Sequence, residues 1–129
     1  MQPIEDRRVD LNRDMDLIRV ILLRVEGDPK LDGTHWEPFD KPDEFPGYSL
    51  KEVQYHVDLL IESGLLRGNT KGDVPIVSQL TWNGHEFLDA IRNPEIWENV
   101  KSRLGGLGKV TLKLVMEIAT AEIRKKLGL

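Results

Sequence analysis

Residues 48–92 constrain this chain more than any other stretch, because their punctuation fixes a helix, a hairpin and a second helix in that order. Ser49 followed three residues later by Glu52 has the spacing of a capping box, in which each side chain satisfies a backbone N–H of the other. Leu50, Val53, Val57, Leu60 and Ile61 then recur at helical spacing and form one apolar face. Gly64 supplies the left-handed residue that closes such a helix. Residues 65–67 and 76–80 read as two short strands around a polar tip at 68–73. Thr81 caps the next helix, with Phe87, Leu88 and Ile91 facing inward.

The flanking regions follow the same logic. Residues 14–26 form a helix in which Met15, Ile18, Leu22 and Val25 make a stripe, widened by Leu17, Val20, Ile21 and Leu23. A helix this apolar is covered on more than one side. Residues 27–47 break the periodicity with Pro38, Pro42, Pro46 and Gly47. Trp36, Phe39 and Phe45 are too apolar for a free linker, so the segment is expected to lie against the domain, with residues 34–39 as an edge strand. Asn93 and Pro94 stop one helix and start another, as N-cap and first helical residue, and Ile96, Trp97, Val100 and Leu104 give that helix its stripe. Glycines 105, 106 and 108 mark a break. A last helix over 109–127 carries Leu112, Val115, Met116, Ala119 and Ile123 on one face. The expected fold is mainly α with a small β hairpin. A tail over 1–13 precedes a domain over 14–92, and a helical extension over 93–129 follows it.

Length and composition bound the function. A chain of 129 residues suits one domain with one core. It has no cysteine, which excludes disulfides and thiolate zinc sites. No apolar run approaches the roughly 20 residues that span a bilayer, and the N-terminus has no secretory apolar stretch; a cytoplasmic setting is expected. The net formal charge is −4. Residues 14–48 carry nine acids against four bases, and 109–129 carry five bases against two acids. A dedicated DNA binder usually shows a broad basic footprint, because phosphate neutralisation supplies most non-specific affinity. This chain has none, though a local patch would suffice.

Two resemblances follow from these residues. The order Gly64-Leu65-Leu66, hairpin, then Leu80-Thr81-x-x-Gly84 resembles winged-helix transcription regulators. More specifically, the chain resembles a bacterial and phage family known as domain of unknown function 2513. The residues that carry this likeness are Arg13-Asp14-Met15-Asp16-Leu17-Ile18-Arg19, Tyr55-His56 with Leu59-Leu60-Ile61-Glu62 and Gly64-Leu65, and Leu80-Thr81-Trp82 with Gly84-His85-Glu86-Phe87-Leu88-Asp89-Ala90, then Ile96-Trp97. That family implies a winged-helix-like fold and no particular activity. The chain departs from the usual regulator in one respect: residues 27–47 are not helical, so the helix after Ser49 must fill the place of two.

Two functions of different class follow. The first is a DNA-binding regulator contacting double-stranded DNA through Lys51, Gln54 and Tyr55 on the capped helix and Arg67 and Lys71 on the hairpin. The common use of the scaffold places it first. The second is a protein-interaction module using Tyr55 and Leu59, together with Leu112, Met116 and Ile123 on the last helix; the same helix is expected to pair two copies into a homodimer. The outward face of the capped helix favours the second, since Lys51 is outnumbered by Glu52, Asp58 and Glu62, and base readers are rich in Arg, Lys, Asn and Gln. Catalytic readings fail on detail. His85-Glu86-x-x-Asp89 lacks the second histidine of the HExxH zinc motif, and Arg103 stands where a phosphate loop needs glycine. His35, His56 and His85 do not have ligand spacing. No cofactor and no metal are expected.

Overall fold

The computed structural model describes residues 14–105 and 110–129. The expected tail at 1–13 and the glycine break at 106–108 lie outside the described residues. The elements are α1 (Met15–Gly27), β1 (Glu37–Pro38), α2 (Leu50–Glu62), β2 (Leu66–Asn69), β3 (Ile76–Leu80), α3 (Trp82–Ile91), α4 (Pro94–Leu104) and α5 (Leu112–Lys126). The fold is mainly α with a small antiparallel sheet. It forms two compact units that divide between Gly84 and His85, inside α3.

In the first unit α1 packs against both α2 and β3. Leu17, Ile18, Ile21, Leu22 and Val25 are buried, which accounts for its nearly continuous apolar sequence; Val20 remains 37% exposed. The sheet runs in the order β1-β3-β2, all pairs antiparallel. Leu66 faces Leu80 and Arg67 faces Gln79, and an irregularity follows between Arg67 and Gly68.

The stop of α2 and the start of α3 are one joint. Gly64 adopts φ +82, a conformation open to glycine at no steric cost. Its N–H donates to Ile61 O, and Leu65 N–H donates to Leu60 O at 3.0 Å, the double bond of a Schellman closure. Thr81 Oγ1 donates to the Gly64 carbonyl and accepts the Gly84 N–H at 3.0 Å, while Thr81 N–H donates to Leu65 O. A Cβ on Gly84 would sit 2.1 Å from that same Leu65 carbonyl. The spacing Gly64-Leu65…Thr81-x-x-Gly84 is therefore a joint in which a helix start is pressed onto a helix stop.

In the second unit Asn93 caps α4 by accepting from Glu95 and Ile96 N–H groups. Ile96, Trp97, Val100 and Leu104 are buried, and α4 packs on α5, whose inner stripe is Val115, Ala119 and Glu122. In the first unit, Trp82 is 77% exposed at the first turn of α3.

Candidate functional site

Helix α2 carries the residues on which both functional readings depend. Its capping box is complete: Ser49 Oγ accepts from Glu52 N–H at 3.1 Å and Glu52 Oε1 accepts from Ser49 N–H at 2.9 Å. This fixes the helical phase, burying Val53, His56, Val57 and Leu60. The opposite side presents Lys51 and Glu62, exposed, with Tyr55, Asp58 and Leu59 half-buried. Asp58 and Glu62 stand one turn apart. The Asp58 carboxyl is pushed above its ordinary range, first by burial and then by the Glu62 charge. Neither carboxylate has a cation within ion-pair distance among the described residues.

Gln54, read from sequence as a base-contacting residue, lies at the flank of this face and donates an amide N–H to the Phe39 carbonyl at 2.8 Å. That bond is one of several fixing residues 27–47. Arg24 on α1 donates to Glu44 at 2.5 Å and to Asp28 at 2.9 Å, and its guanidinium lies 5.9 Å from the Phe39 ring centroid. Burial lowers the Arg24 affinity for its proton and the two carboxylates more than restore it, so the guanidinium is held charged. Phe39 N–H donates to Pro75 O and Gly33 N–H to Ser78 O. Leu31, Phe39 and Phe45 are buried, whereas Trp36 is 50% exposed. The segment brings six acids and two bases alongside the sheet and α2.

The remaining DNA-contact candidates lie on the hairpin, whose first strand packs on α2. Arg67 lies on β2 beside Gln79, and Lys71 sits at the tip, where Asn69 Oδ1 accepts its backbone N–H at 2.7 Å. Both side chains belong to exposed residues and neither meets a counter-charge among the described residues. Lys51, Gln54 and Tyr55 thus share one helix, and Arg67 and Lys71 share the hairpin.

The remaining candidates lie on α5, where Leu112, Met116 and Ile123 are half-buried beside the inner stripe. Glu122, which no local pattern marks out, is buried on that stripe and accepts from Arg103 at 2.9 Å. A cleft of about 260 Å³ between α4 and α5 is lined by Glu95, Ile96, Asn99, Glu122, Lys125 and Lys126. Lys126 pairs with Glu95, holding that carboxyl below its ordinary range.

Of the three histidines, His35 and His85 are exposed and His56 is buried. Among the described residues no three His, Asp or Glu side chains gather as a metal site would require, and no helix is long and apolar enough to cross a membrane.

A compact capped helix, a three-stranded sheet and a clamped acidic segment define the class of protein; sequence comparison gives the family. Residues 12–108 match the family described as "Hypothetical protein (DUF2513)", and the chain belongs to it. It is also similar to an uncharacterized protein of Haemophilus influenzae, 31% identical over 123 residues that cover 92% of this chain and all of that protein. No solved structure matches the chain.

Proposed function

We propose that this chain is a non-enzymatic protein-interaction module on a winged-helix-like scaffold, working in the cytoplasm of a bacterium or of a phage-infected cell. Its docking face is the outward side of α2: Tyr55, Asp58, Leu59 and Glu62. The observation that carries the reading is that Asp58 and Glu62 have no cationic partner among the described residues and stand beside half-buried apolar side chains. A carboxylate raised by burial and like charge gains from a cation placed against it, so the complementary partner presents Lys or Arg next to apolar groups. Support also comes from Gln54, whose amide is already engaged, and from the acidic segment alongside, which would repel a phosphate backbone. The order α1–β1–α2–β2–β3 supports the scaffold.

A second reading keeps one observation in its favour. Arg67 and Lys71 are exposed cations on a hairpin, the arrangement by which a regulator would touch phosphates of double-stranded DNA.

Two titrations of the full chain separate the readings. A synthetic amphipathic helical peptide of Lys and Leu is followed by calorimetry, and a mixed-sequence DNA duplex by fluorescence anisotropy at low and moderate salt. The interaction module binds the peptide and loses that binding at least tenfold on Asp58→Lys with Glu62→Lys, while ignoring the duplex. Duplex binding that falls steeply with salt and disappears on Arg67→Glu with Lys71→Glu would replace it with the regulator. Light scattering on the same samples tests the homodimer proposed through Leu112, Met116 and Ile123, which would double the monomer mass of 14.8 kDa.

A further inference from the structure

We propose that His56 is a proton-operated latch joining the start of α1 to α2. Its ring is 1% exposed, and both nitrogens are engaged. Nε2 lies 2.8 Å from the backbone nitrogen of Asp14, a group that can only donate, so Nε2 accepts. Nδ1 lies 2.8 Å from the Glu52 carbonyl oxygen, which can only accept, so Nδ1 carries the proton. One neutral tautomer satisfies both bonds, and the other satisfies neither.

The latched residue is the N-cap of α1. Asp14 Oδ1 accepts from Leu17 N–H at 3.1 Å, and Oδ2 accepts from the Tyr48 hydroxyl at 3.0 Å. Four polar groups from positions 14, 48, 52 and 56 therefore close one network between two helices. A second proton on His56 would turn Nε2 into a donor facing the Asp14 N–H, and the pair would become repulsive. The oxygens available on that same residue are its carboxylate, already committed to the helix cap and to Tyr48. Accommodating the imidazolium means taking the carboxylate from one of those bonds.

The titratable and charged groups around the ring are consistent with a rearrangement of the junction. Asp14 meets the ring through its backbone N–H and Glu52 through its carbonyl, Tyr55 stands edge-on with centroids 5.5 Å apart, and Tyr48 reaches the same junction through its bond to the Asp14 carboxylate. The Asp14 carboxylate would attract a charged imidazole, so the Nε2 proton gains an acceptor once the Asp14 N–H bond is given up. Acidification thereby exchanges an intact cap for an ion pair, loosening the first turn of α1 from α2. Asp14 and His56 both fall in segments by which the chain resembles its family.

Nitrogen-15 NMR of the uniformly labelled full chain between pH 8 and pH 5 tests the latch. At pH 8 the ring of His56 should carry its proton on Nδ1. On acidification the Asp14 and Leu17 amide resonances should move with the midpoint of the His56 ring, unaffected by the titrations of His35 and His85. In His56→Gln those amide shifts should disappear; the wild-type titration decides alone if that variant does not fold. An Nε2–H tautomer at pH 8, a His56 ring that takes up no proton by pH 5, or Asp14 and Leu17 amides that stay still while His56 titrates would each overturn the proposal.

Discussion

Each compact unit has its own apolar core, and the two differ in the polar bonds that join their elements. In residues 14–84 the elements are joined by polar bonds that each have one solution: Asp14 with His56 and Tyr48, Arg24 with Glu44 and Asp28, Gln54 with Phe39, Thr81 with Gly64. Among the described residues of 85–129, an apolar seam between α4 and α5 is dressed with ion pairs at or near the surface, and Glu122 alone places a charged group in the buried stripe. Most of the first unit's bonds are partly buried, and removing one partner of such a bond costs up to about 1–3 kcal/mol, whereas an exposed ion pair contributes little. The first unit should therefore be brittle to single substitutions and the second tolerant of them at its surface.

The largest expected effect is at the joint between α2 and α3. Gly84→Ala places a Cβ 2.1 Å from the Leu65 carbonyl. Alanine in an ordinary helix stabilises relative to glycine by about 1 kcal/mol; here overpacking should reverse the sign and cost about 2–3 kcal/mol in urea unfolding. A neutral or stabilising result would mean that the joint is not tight.

The clamp on residues 27–47 comes next. Arg24→Met keeps most of the side-chain stem and removes the bonds to Glu44 and Asp28. It should cost about 1 kcal/mol and increase amide exchange over 31–45. Unchanged exchange would show that Leu31, Phe39 and Phe45 hold the segment unaided.

Tyr48 gives a smaller effect with a pH signature. Burial, then the Asp14 carboxylate, push its hydroxyl up to about 12. The folded chain holds that proton more tightly than the unfolded chain, so the contribution is complete below the ordinary tyrosine value near 10 and is lost as pH rises towards 12. Tyr48→Phe should remove that slope between pH 10 and 12. An unchanged slope would place it on other groups.

The smallest effect is predicted on the other side of the comparison. Lys126→Gln removes the Glu95 pair at the surface of the helical hairpin, and the melting temperature should not move measurably. A clear destabilisation would erase the contrast between the units.

Local signals in the sequence locate most of the elements. The Ser49–Glu52 box, the Asn93–Pro94 start and the left-handed Gly64 are short-range features whose partners lie within a few residues, and each is found in place. The apolar periodicity of α4 and α5 also identifies which faces are buried, but periodicity does not say against what, and the pairing of these two helices was not foreseen. The candidate site was less legible because its bonds are non-local. His56 meets Asp14 across 42 positions and Gln54 meets Phe39 across 15, from a segment with no periodic pattern. Glu122 sits just before a run of bases with no local sign of burial; it is buried because α5 packs on α4, where Arg103 meets it. Trp82 shows the converse, since a large aromatic suggests core and its position at a helix start leaves it outside.

The most direct measurement for the central claim, that α2's outward face is a protein-docking surface, is amide chemical-shift mapping on the labelled full chain. The Lys and Leu peptide and the DNA duplex would be titrated separately. The account predicts that the peptide shifts the amides of Tyr55, Asp58, Leu59 and Glu62 and leaves Arg67 and Lys71 in place, while the duplex shifts neither group. Duplex-induced shifts concentrated at Arg67, Asn69 and Lys71, with α2 silent towards the peptide, would contradict it.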